Sequence, residues 1–119
     1  CITPPCFPDH LIVQYCSMIG VDIVEIEQIR LSSSFVSYIL TAEEQEEYNA
    51  LPAEKQKKEY LAGRFASKEA IFKATQDINY LDYAILHGPN GAPYVLNHPE
   101  IQISISHSRT IAIAFIEVI

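Results

Sequence analysis

The run from Leu61 to Ala74 constrains the fold more than any other part of this 119-residue chain. It mixes small and aromatic residues with one carboxylate and two lysines. At about 100° per residue, one helical stripe combines small and charged side chains: Ala62, Ala66, Glu69 and Lys73. A second stripe, about a quarter-turn away, carries Leu61, Phe65 and Phe72. The spacing predicts a helix whose aromatic stripe is buried and whose alanine stripe leaves room for a ligand above Glu69 and Lys73.

The pair formed by Glu69 and Lys73 has two interpretations. An acid and a lysine four residues apart, beside small side chains, can together hold a metal ion and a phosphate. The same spacing is typical of an ordinary salt bridge on a solvated helix face, worth roughly 0.2–0.5 kcal/mol. Exposed ion pairs are common and weak, so the spacing alone favours the salt bridge.

The first part of the chain predicts a strand and then short helices. Residues 18–26 are apolar and β-branched, which indicates a strand, and a short helix fits residues 25–30. Residues 31–37 contain three consecutive serines and read as a loop or a frayed helix. Thr41 and Glu44 have the spacing of a capping box, so a helix begins there.

A longer helix follows. The capped helix ends before Pro52, because the residue before a proline avoids the helical region, and the next helix spans about residues 53–75. Gly63 lies in its middle and costs roughly 1 kcal/mol relative to alanine. We interpret this glycine as a point where another backbone approaches closely.

The last third of the chain reads as short strands. Residues 83–87 and 94–96 are candidate strands around the turn at residues 88–91. Isoleucines alternate with polar residues from 101 to 106, and residues 110–118 are mostly apolar. A strand, then helices, then a run of strands indicates an α+β fold, in which a small antiparallel sheet packs with a long helix.

Four segments together resemble the holo-acyl-carrier-protein synthases, which are small 4′-phosphopantetheinyl transferases. The family pattern has a G-x-D-I segment, a G-R-F/W-A-x-K-E-A-x-x-K helix, a G-x-P loop and an S-I-S-H-S/T turn. All four occur here in the family's order: Gly20–Ile23, Gly63–Lys73, Gly91–Pro93 and Ser104–Ser108. The resemblance runs from about Met18 to the C-terminus and implies the 4′-phosphopantetheinyl transferase fold.

Residues 1–17 have no counterpart in that family. They hold all three cysteines and three of the seven prolines, without the basic start of a signal peptide. We expect an appended or upstream-translated segment, or a genuine but unusual extension, followed by one transferase domain at residues 18–119. A metal site at Cys1, Cys6, His10 and Cys16 matches no usual zinc spacing.

Composition limits the classes of function. The net charge is −7, which disfavours nucleic-acid binding, because such binding depends on neutralising phosphates. No apolar run approaches the roughly 20 residues that span a bilayer. We therefore expect no nucleic-acid partner and no membrane span.

The resemblance implies transfer of the 4′-phosphopantetheine arm of coenzyme A to a serine of apo-acyl carrier protein. Adenosine 3′,5′-bisphosphate is the by-product, Mg²⁺ is the cofactor and fatty-acid synthesis is the pathway served. It further implies a cytoplasmic homotrimer with active sites between subunits. Magnesium suits this chemistry because it binds few carboxylates and bridges phosphate oxygens.

The resemblance also assigns roles to individual residues. Asp22 and Glu69 match the magnesium carboxylates, and Glu69, Lys73 and His107 are the expected catalytic residues. The expected coenzyme contacts are Arg64, Lys68, Lys73, Gly91, Pro93, His107 and Ser108. The proton acceptor is either Glu69 or a magnesium-bound water.

Several of these assignments have a structural alternative. Asp22 could cap a helix, and His107 could be an ordinary residue at a strand end. Arg64 fits either a phosphate or a neighbouring subunit, whereas the stem of Lys68 could lie solvated along the helix.

Two departures from the family pattern affect the substrates. Gln28 stands where the family has an arginine that faces the carrier protein, so docking is in doubt or has moved to Arg30. The glycine-rich segment after the long helix is missing, and residues 75–79 replace it. The alternatives are a non-catalytic relative that binds carrier proteins, and a transferase that serves a polyketide or peptide synthetase.

Overall fold

The computed structural model describes residues 18–119, and the expectations for residues 1–17 lie outside the described residues. The helices and strands occur in this order: β1 Met18–Glu25, α1 Ser33–Ile39, α2 Ala42–Asn49, α3 Glu54–Thr75, β2 Ile85–His87, β3 Pro93–Val95, β4 Ile101–His107 and β5 Ile111–Val118. Short 3₁₀ turns at Ile26–Gln28 and Tyr80–Asp82 follow β1 and α3. Within residues 18–119, no helix has both the length and the apolarity to cross a membrane.

The predicted elements are present, and one ambiguous segment is a helix. The long helix α3 occupies residues 54–75, and α2, which precedes it, begins with the capping box of Thr41 and Glu44. The segment expected to be a loop or a frayed helix forms α1. The hydroxyl of Ser32 accepts a hydrogen bond from the amide of Phe35 at its start, and buried side chains hold it to the core.

The strands form two antiparallel sheets. β5 lies at the centre of a three-stranded sheet, between β1 and β4, and β2 pairs with β3 in a separate hairpin. α3 lies across one face of the three-stranded sheet and makes most of its contacts with β1 and β5. This arrangement confirms the predicted α+β fold, with a long helix on a small antiparallel sheet.

A row of alanines brings α3 onto the sheet. Its members repeat every four residues and are buried: Ala62, Ala66, Ala70 and Ala74. Ala112 and Ala114 of β5 are fully buried in the same core. The expectation that the alanine stripe leaves room for a ligand is therefore wrong for this row. Phe65 and Phe72, which we expected to be buried, are only half-buried.

The closest contact of α3 with the sheet is at Gly20 of β1. A β-carbon built on Gly20 would lie 1.9 Å from the carbonyl oxygen of Ala70 and 3.1 Å from the amide nitrogen of Ala74. At Gly63, by contrast, the nearest atom to such a β-carbon is a side-chain methyl of Ile105 at 3.4 Å. The backbone approach that we expected at Gly63 thus occurs at Gly20.

A buried ion pair joins α2 to α3. Lys68 Nζ lies 2.8 Å from Glu44 Oε1, and both side chains are fully buried. The ammonium also donates to the carbonyl oxygens of Ile39 at 2.8 Å and Tyr80 at 2.9 Å. Burial lowers the pKa of Lys68, and the charge of Glu44 opposes that shift. Three acceptors satisfy the three ammonium hydrogens, so Lys68 belongs to the core and does not fit the expected coenzyme contact.

Arg64 is likewise a core residue, with its side chain 4% exposed. Its Nε donates to the carbonyl oxygen of Ile85 at 3.0 Å, and Nη2 lies 3.4 Å from Glu47 Oε1. The guanidinium carbon lies 4.0 Å from the centre of the Tyr60 ring. These contacts tie α3 to β2, and they correct the expectation that Arg64 meets a phosphate or another subunit.

The sheet face opposite α3 is apolar and exposed. Cross-strand pairs place Val21 beside Phe115 and Ile23 beside Ile113. The large apolar side chains on this face are between 38% and 58% exposed: Ile19, Val21, Ile23, Ile113 and Phe115. We call these five residues the open sheet face. Contiguous exposed apolar surface of this kind is typical of an interface between proteins.

We expect Gly20→Ala to lower the free energy of unfolding by about 1–3 kcal/mol or more, because the new methyl group meets the helix backbone at Ala70. Denaturant unfolding followed by circular dichroism measures this change. Gly63→Ala is the matched control, since its methyl group makes an ordinary contact and alanine favours a helix by about 1 kcal/mol. Equal stability of the Gly20→Ala and wild-type proteins would contradict the close packing of α3 on β1.

Candidate active site

The structure brings three of the predicted site residues together where α3 meets β1. Asp22 lies on the side of β1 that faces α3, and Glu69 and Lys73 lie on the C-terminal half of the helix. Lys73 Nζ donates to Asp22 Oδ1 at 2.9 Å and to the carbonyl oxygen of Val21 at 3.1 Å. The ion pair that the structure gives Lys73 is therefore with an aspartate on a strand, and not with Glu69 of its own helix as the spacing suggested.

Two carboxylates share this site. Burial and the nearby charge of Asp22 raise the pKa of Glu69, and the ammonium of Lys73 opposes the shift. The side chain of Asp22 is 16% exposed and that of Lys73 is 51% exposed. Two acids held close together, with one lysine beside them, favour the approach of a further positive charge.

The oxygen donors fit a magnesium ion. Mg²⁺ in transferases is bound by one or two carboxylates, and water and substrate phosphates complete its coordination. Asp22 and Glu69 supply two such carboxylates. No group of three or more His, Cys, Asp or Glu side chains suited to a metal exists among residues 18–119. Two carboxylates leave the rest of the coordination of a magnesium ion to water and phosphate oxygens.

Tyr80 is a member of this cluster that the sequence analysis missed. Its hydroxyl donates a hydrogen bond to Glu69 Oε2, from the 3₁₀ turn that follows α3. The helix motif does not include this turn, and no periodic pattern singles out its tyrosine. The only signal in the sequence is a tyrosine soon after the helix, and tyrosines at such positions are too common to indicate an active-site residue.

His107 lies apart from the cluster within one chain. It pairs with Ala112, which in turn pairs with Val24, so two strand spacings of about 4.8 Å separate His107 from β1. Its side chain is exposed, and Nδ1 lies 3.1 Å from the carbonyl oxygen of Ser108. Within residues 18–119, His107 makes no hydrogen bond with Asp22, Glu69 or Lys73.

The other predicted coenzyme contacts lie in turns. Gly91 has a φ of +87° in the turn between β2 and β3, and Pro93 begins β3. The hydroxyl oxygen of Ser108 accepts from the amides of Thr110 and Ile111 at 3.1 Å each. Ser108 thus shapes the turn between β4 and β5 that carries His107.

Comparison with known proteins agrees with this architecture. A sequence model of the 4′-phosphopantetheinyl transferase superfamily matches residues 18–116. A holo-[acyl-carrier-protein] synthase from Acholeplasma laidlawii is 41% identical over 108 residues, which cover 82% of this chain and 92% of that protein. The synthase of the same name from Geobacillus sp. is 42% identical over 108 residues, covering 81% and 90%.

The fold has a close counterpart among solved structures. The crystal structure of a holo-(acyl-carrier-protein) synthase from Bacillus anthracis, in complex with CoA (3′,5′-ADP), matches with a TM-score of 0.76 and 32% identity. The match covers 85% of this chain and 94% of that chain. The matched residues 18–116 include all of the predicted site residues. The chain therefore belongs to the 4′-phosphopantetheinyl transferase superfamily, as a member of the holo-[acyl-carrier-protein] synthase family.

Proposed function

We propose that this chain transfers the 4′-phosphopantetheine group of coenzyme A to a serine of apo-acyl carrier protein, in a magnesium-dependent reaction. The observation that carries the proposal is the convergence of Asp22, Glu69 and Lys73 where α3 meets β1. The names of the relatives and the coenzyme bound to the Bacillus anthracis protein support it. A relative that only binds carrier proteins has no need of this cluster.

In this reaction the protein must position the serine and the coenzyme and must neutralise the charge of the diphosphate. The serine oxygen forms a bond to the β-phosphorus, the bond from that phosphorus to the bridging oxygen breaks, and adenosine 3′,5′-bisphosphate leaves. Asp22 and Glu69 would hold the Mg²⁺ ion, which when bound neutralises charge on the diphosphate. The exposed ammonium of Lys73 is placed to donate to a phosphate oxygen.

Glu69 is the candidate in this cluster to accept the proton of the serine. Its carboxylate lies in the same cluster as Lys73, whose ammonium is placed to donate to a phosphate oxygen in this proposal. Water is the alternative acceptor, because the cluster lies at the surface beside the exposed side chain of Lys73.

We also propose a homotrimer that shares its active sites between chains. The open sheet face supports association, since its five large apolar side chains lie exposed in a single chain. The separation of His107 from Asp22 and Glu69 supports a site that a neighbouring chain completes. His107, Gly91, Pro93 and Ser108 would then contact a coenzyme whose diphosphate lies at the partner's carboxylates.

The carrier protein is proposed to dock beside the 3₁₀ turn that follows β1. Gln28 in this turn occupies the position where the family pattern has an arginine. Arg30, two residues later, is exposed and could take its place. Lys58 of α3 reaches the same turn, with Nζ 3.5 Å from the carbonyl oxygen of Glu27. These two cations complement an acidic carrier.

We propose the carrier of fatty-acid synthesis in the cytoplasm as the natural substrate. A carrier domain of a polyketide or peptide synthetase is the alternative. Transfer rates with several purified apo-carriers, read from the mass gain of each carrier, distinguish the two.

We expect Asp22→Asn and Glu69→Gln each to reduce magnesium-dependent transfer by at least about 100-fold, because each removes one of the two charged ligands of the ion. Mass spectrometry of the apo-carrier protein, incubated with coenzyme A and Mg²⁺, measures the transfer. Glu43→Gln, on the exposed side of α2, is the control and should leave the rate unchanged. Near-normal transfer by either site variant would show that the metal is held elsewhere.

We expect a mixture of His107→Ala and Glu69→Gln proteins to regain activity once their subunits exchange. With equal amounts in a closed ring, about a quarter of the shared sites pair an intact His107 with an intact Glu69. Transfer activity measures the recovery, and native mass spectrometry confirms the exchange.

A mixture of Asp22→Asn with Glu69→Gln is the matched control for this experiment. Asp22 and Glu69 belong to the same cluster in one chain, so mixing cannot restore both in one site, and no activity should return. A His107→Ala and Glu69→Gln mixture that stays inactive after confirmed exchange would reject the shared site.

A further inference from the structure

Tyr80 joins the active-site cluster to the core of the protein. Its hydroxyl donates to Glu69 Oε2, and its side chain is half-buried. The residue follows α3 by a few positions and lies in the 3₁₀ turn Tyr80–Asp82. A phenol that donates to a carboxylate fixes the orientation of that carboxylate, since only certain rotations of the acid keep the hydrogen bond.

The backbone of Tyr80 is held from within the core. Its carbonyl oxygen accepts from Lys68 Nζ at 2.9 Å, and Lys68 forms the buried ion pair with Glu44. A fully buried ammonium with three acceptors has little freedom to move. The turn that carries Tyr80 is therefore anchored to two helices by a group that does not reach the solvent.

The ring of Tyr80 contacts two aromatic neighbours. It packs edge-on against Tyr38 of α1, with ring centres 5.6 Å apart, and against Phe65 of α3 at 6.5 Å. These contacts and the anchored backbone restrict the side chain to a narrow range of positions. The hydroxyl is thus presented to Glu69 by a rigid support rather than by a mobile loop.

We propose that Tyr80 is a positioning residue, which orients Glu69 so that its carboxylate meets the metal ion together with Asp22. This inference rests on the proposed magnesium site. With one oxygen of Glu69 held by the phenol, the carboxylate cannot turn freely away from Asp22 and Lys73. Hydrogen bonds to metal-binding carboxylates have this effect in many metal sites, and their loss weakens metal binding.

The test is direct binding of Mn²⁺ to the full chain with an equimolar amount of coenzyme A and no carrier protein, followed by electron paramagnetic resonance, because the substrate phosphates complete the coordination of the ion. Tyr80→Phe keeps the ring and its packing but removes the donor. We expect its Mn²⁺ affinity to fall by about 10–100-fold, with an unchanged melting temperature. In transfer assays the half-saturating Mg²⁺ concentration should rise similarly, whereas kcat should return at saturating Mg²⁺.

Tyr38→Phe is the matched control, because the Tyr38 ring packs on Tyr80 while its hydroxyl makes no hydrogen bond within residues 18–119. It should bind Mn²⁺ like the wild type. Wild-type affinity in Tyr80→Phe overturns the inference. A loss that Tyr38→Phe shares, or that accompanies a lower melting temperature, assigns the effect to packing and overturns it too.

The same titration separates this inference from the proposed function. If the wild-type chain binds no Mn²⁺, or if Glu69→Gln binds it as tightly as the wild type, the metal site itself is misplaced. If the wild type binds Mn²⁺ and Glu69→Gln binds it more weakly, the metal site is supported. If Tyr80→Phe then binds Mn²⁺ as tightly as the wild type, only the proposed role of Tyr80 is rejected.

Discussion

The rest of the structure depends on the contact between the backbone of α3 and β1 at Gly20. No side chain fits there, since even a β-carbon would lie 1.9 Å from the carbonyl oxygen of Ala70. The row of buried alanines on α3 continues this close approach across the sheet. As a result, Asp22, two residues after Gly20, lies within reach of Lys73, three residues after Ala70. The site is thus a consequence of how tightly a helix packs on a strand.

The charged residues between Gly63 and Lys73 of α3 divide into two groups with different roles. Arg64 and Lys68 are buried, and they bind α3 to β2 and α2 through Glu47 and Glu44. Glu69 and Lys73, on the later turns, reach the surface beside β1 and carry the proposed chemistry. Breaking a buried pair costs about 3–5 kcal/mol, because the remaining charge is left uncompensated. The buried ion pairs of Arg64 and Lys68 therefore fix the position of the helix, and that position places Glu69 and Lys73 beside Asp22.

Periodicity, which is a local signal, predicted the fold class and the long helix, whereas the grouping of Asp22 with Glu69 and Lys73 came from the resemblance to a family. The resemblance misplaced Lys68, whose partner Glu44 lies 24 residues earlier and only becomes a partner once α2 packs on α3. Tyr80 was missed for the same reason, since its hydrogen bond to Glu69 depends on the turn after the helix. Motifs indicate which residues occur together in a family, but they do not distinguish a buried charge from one that faces a substrate.

The most direct test of this account is the crystal structure of the chain with coenzyme A and Mn²⁺, with the metal located by its anomalous scattering. The account predicts one peak per site between the carboxylates of Asp22 and Glu69 of one chain. It also predicts that His107 of a neighbouring chain contacts the same coenzyme. A peak away from these carboxylates, or a coenzyme contacted by His107 of the same chain, would contradict it.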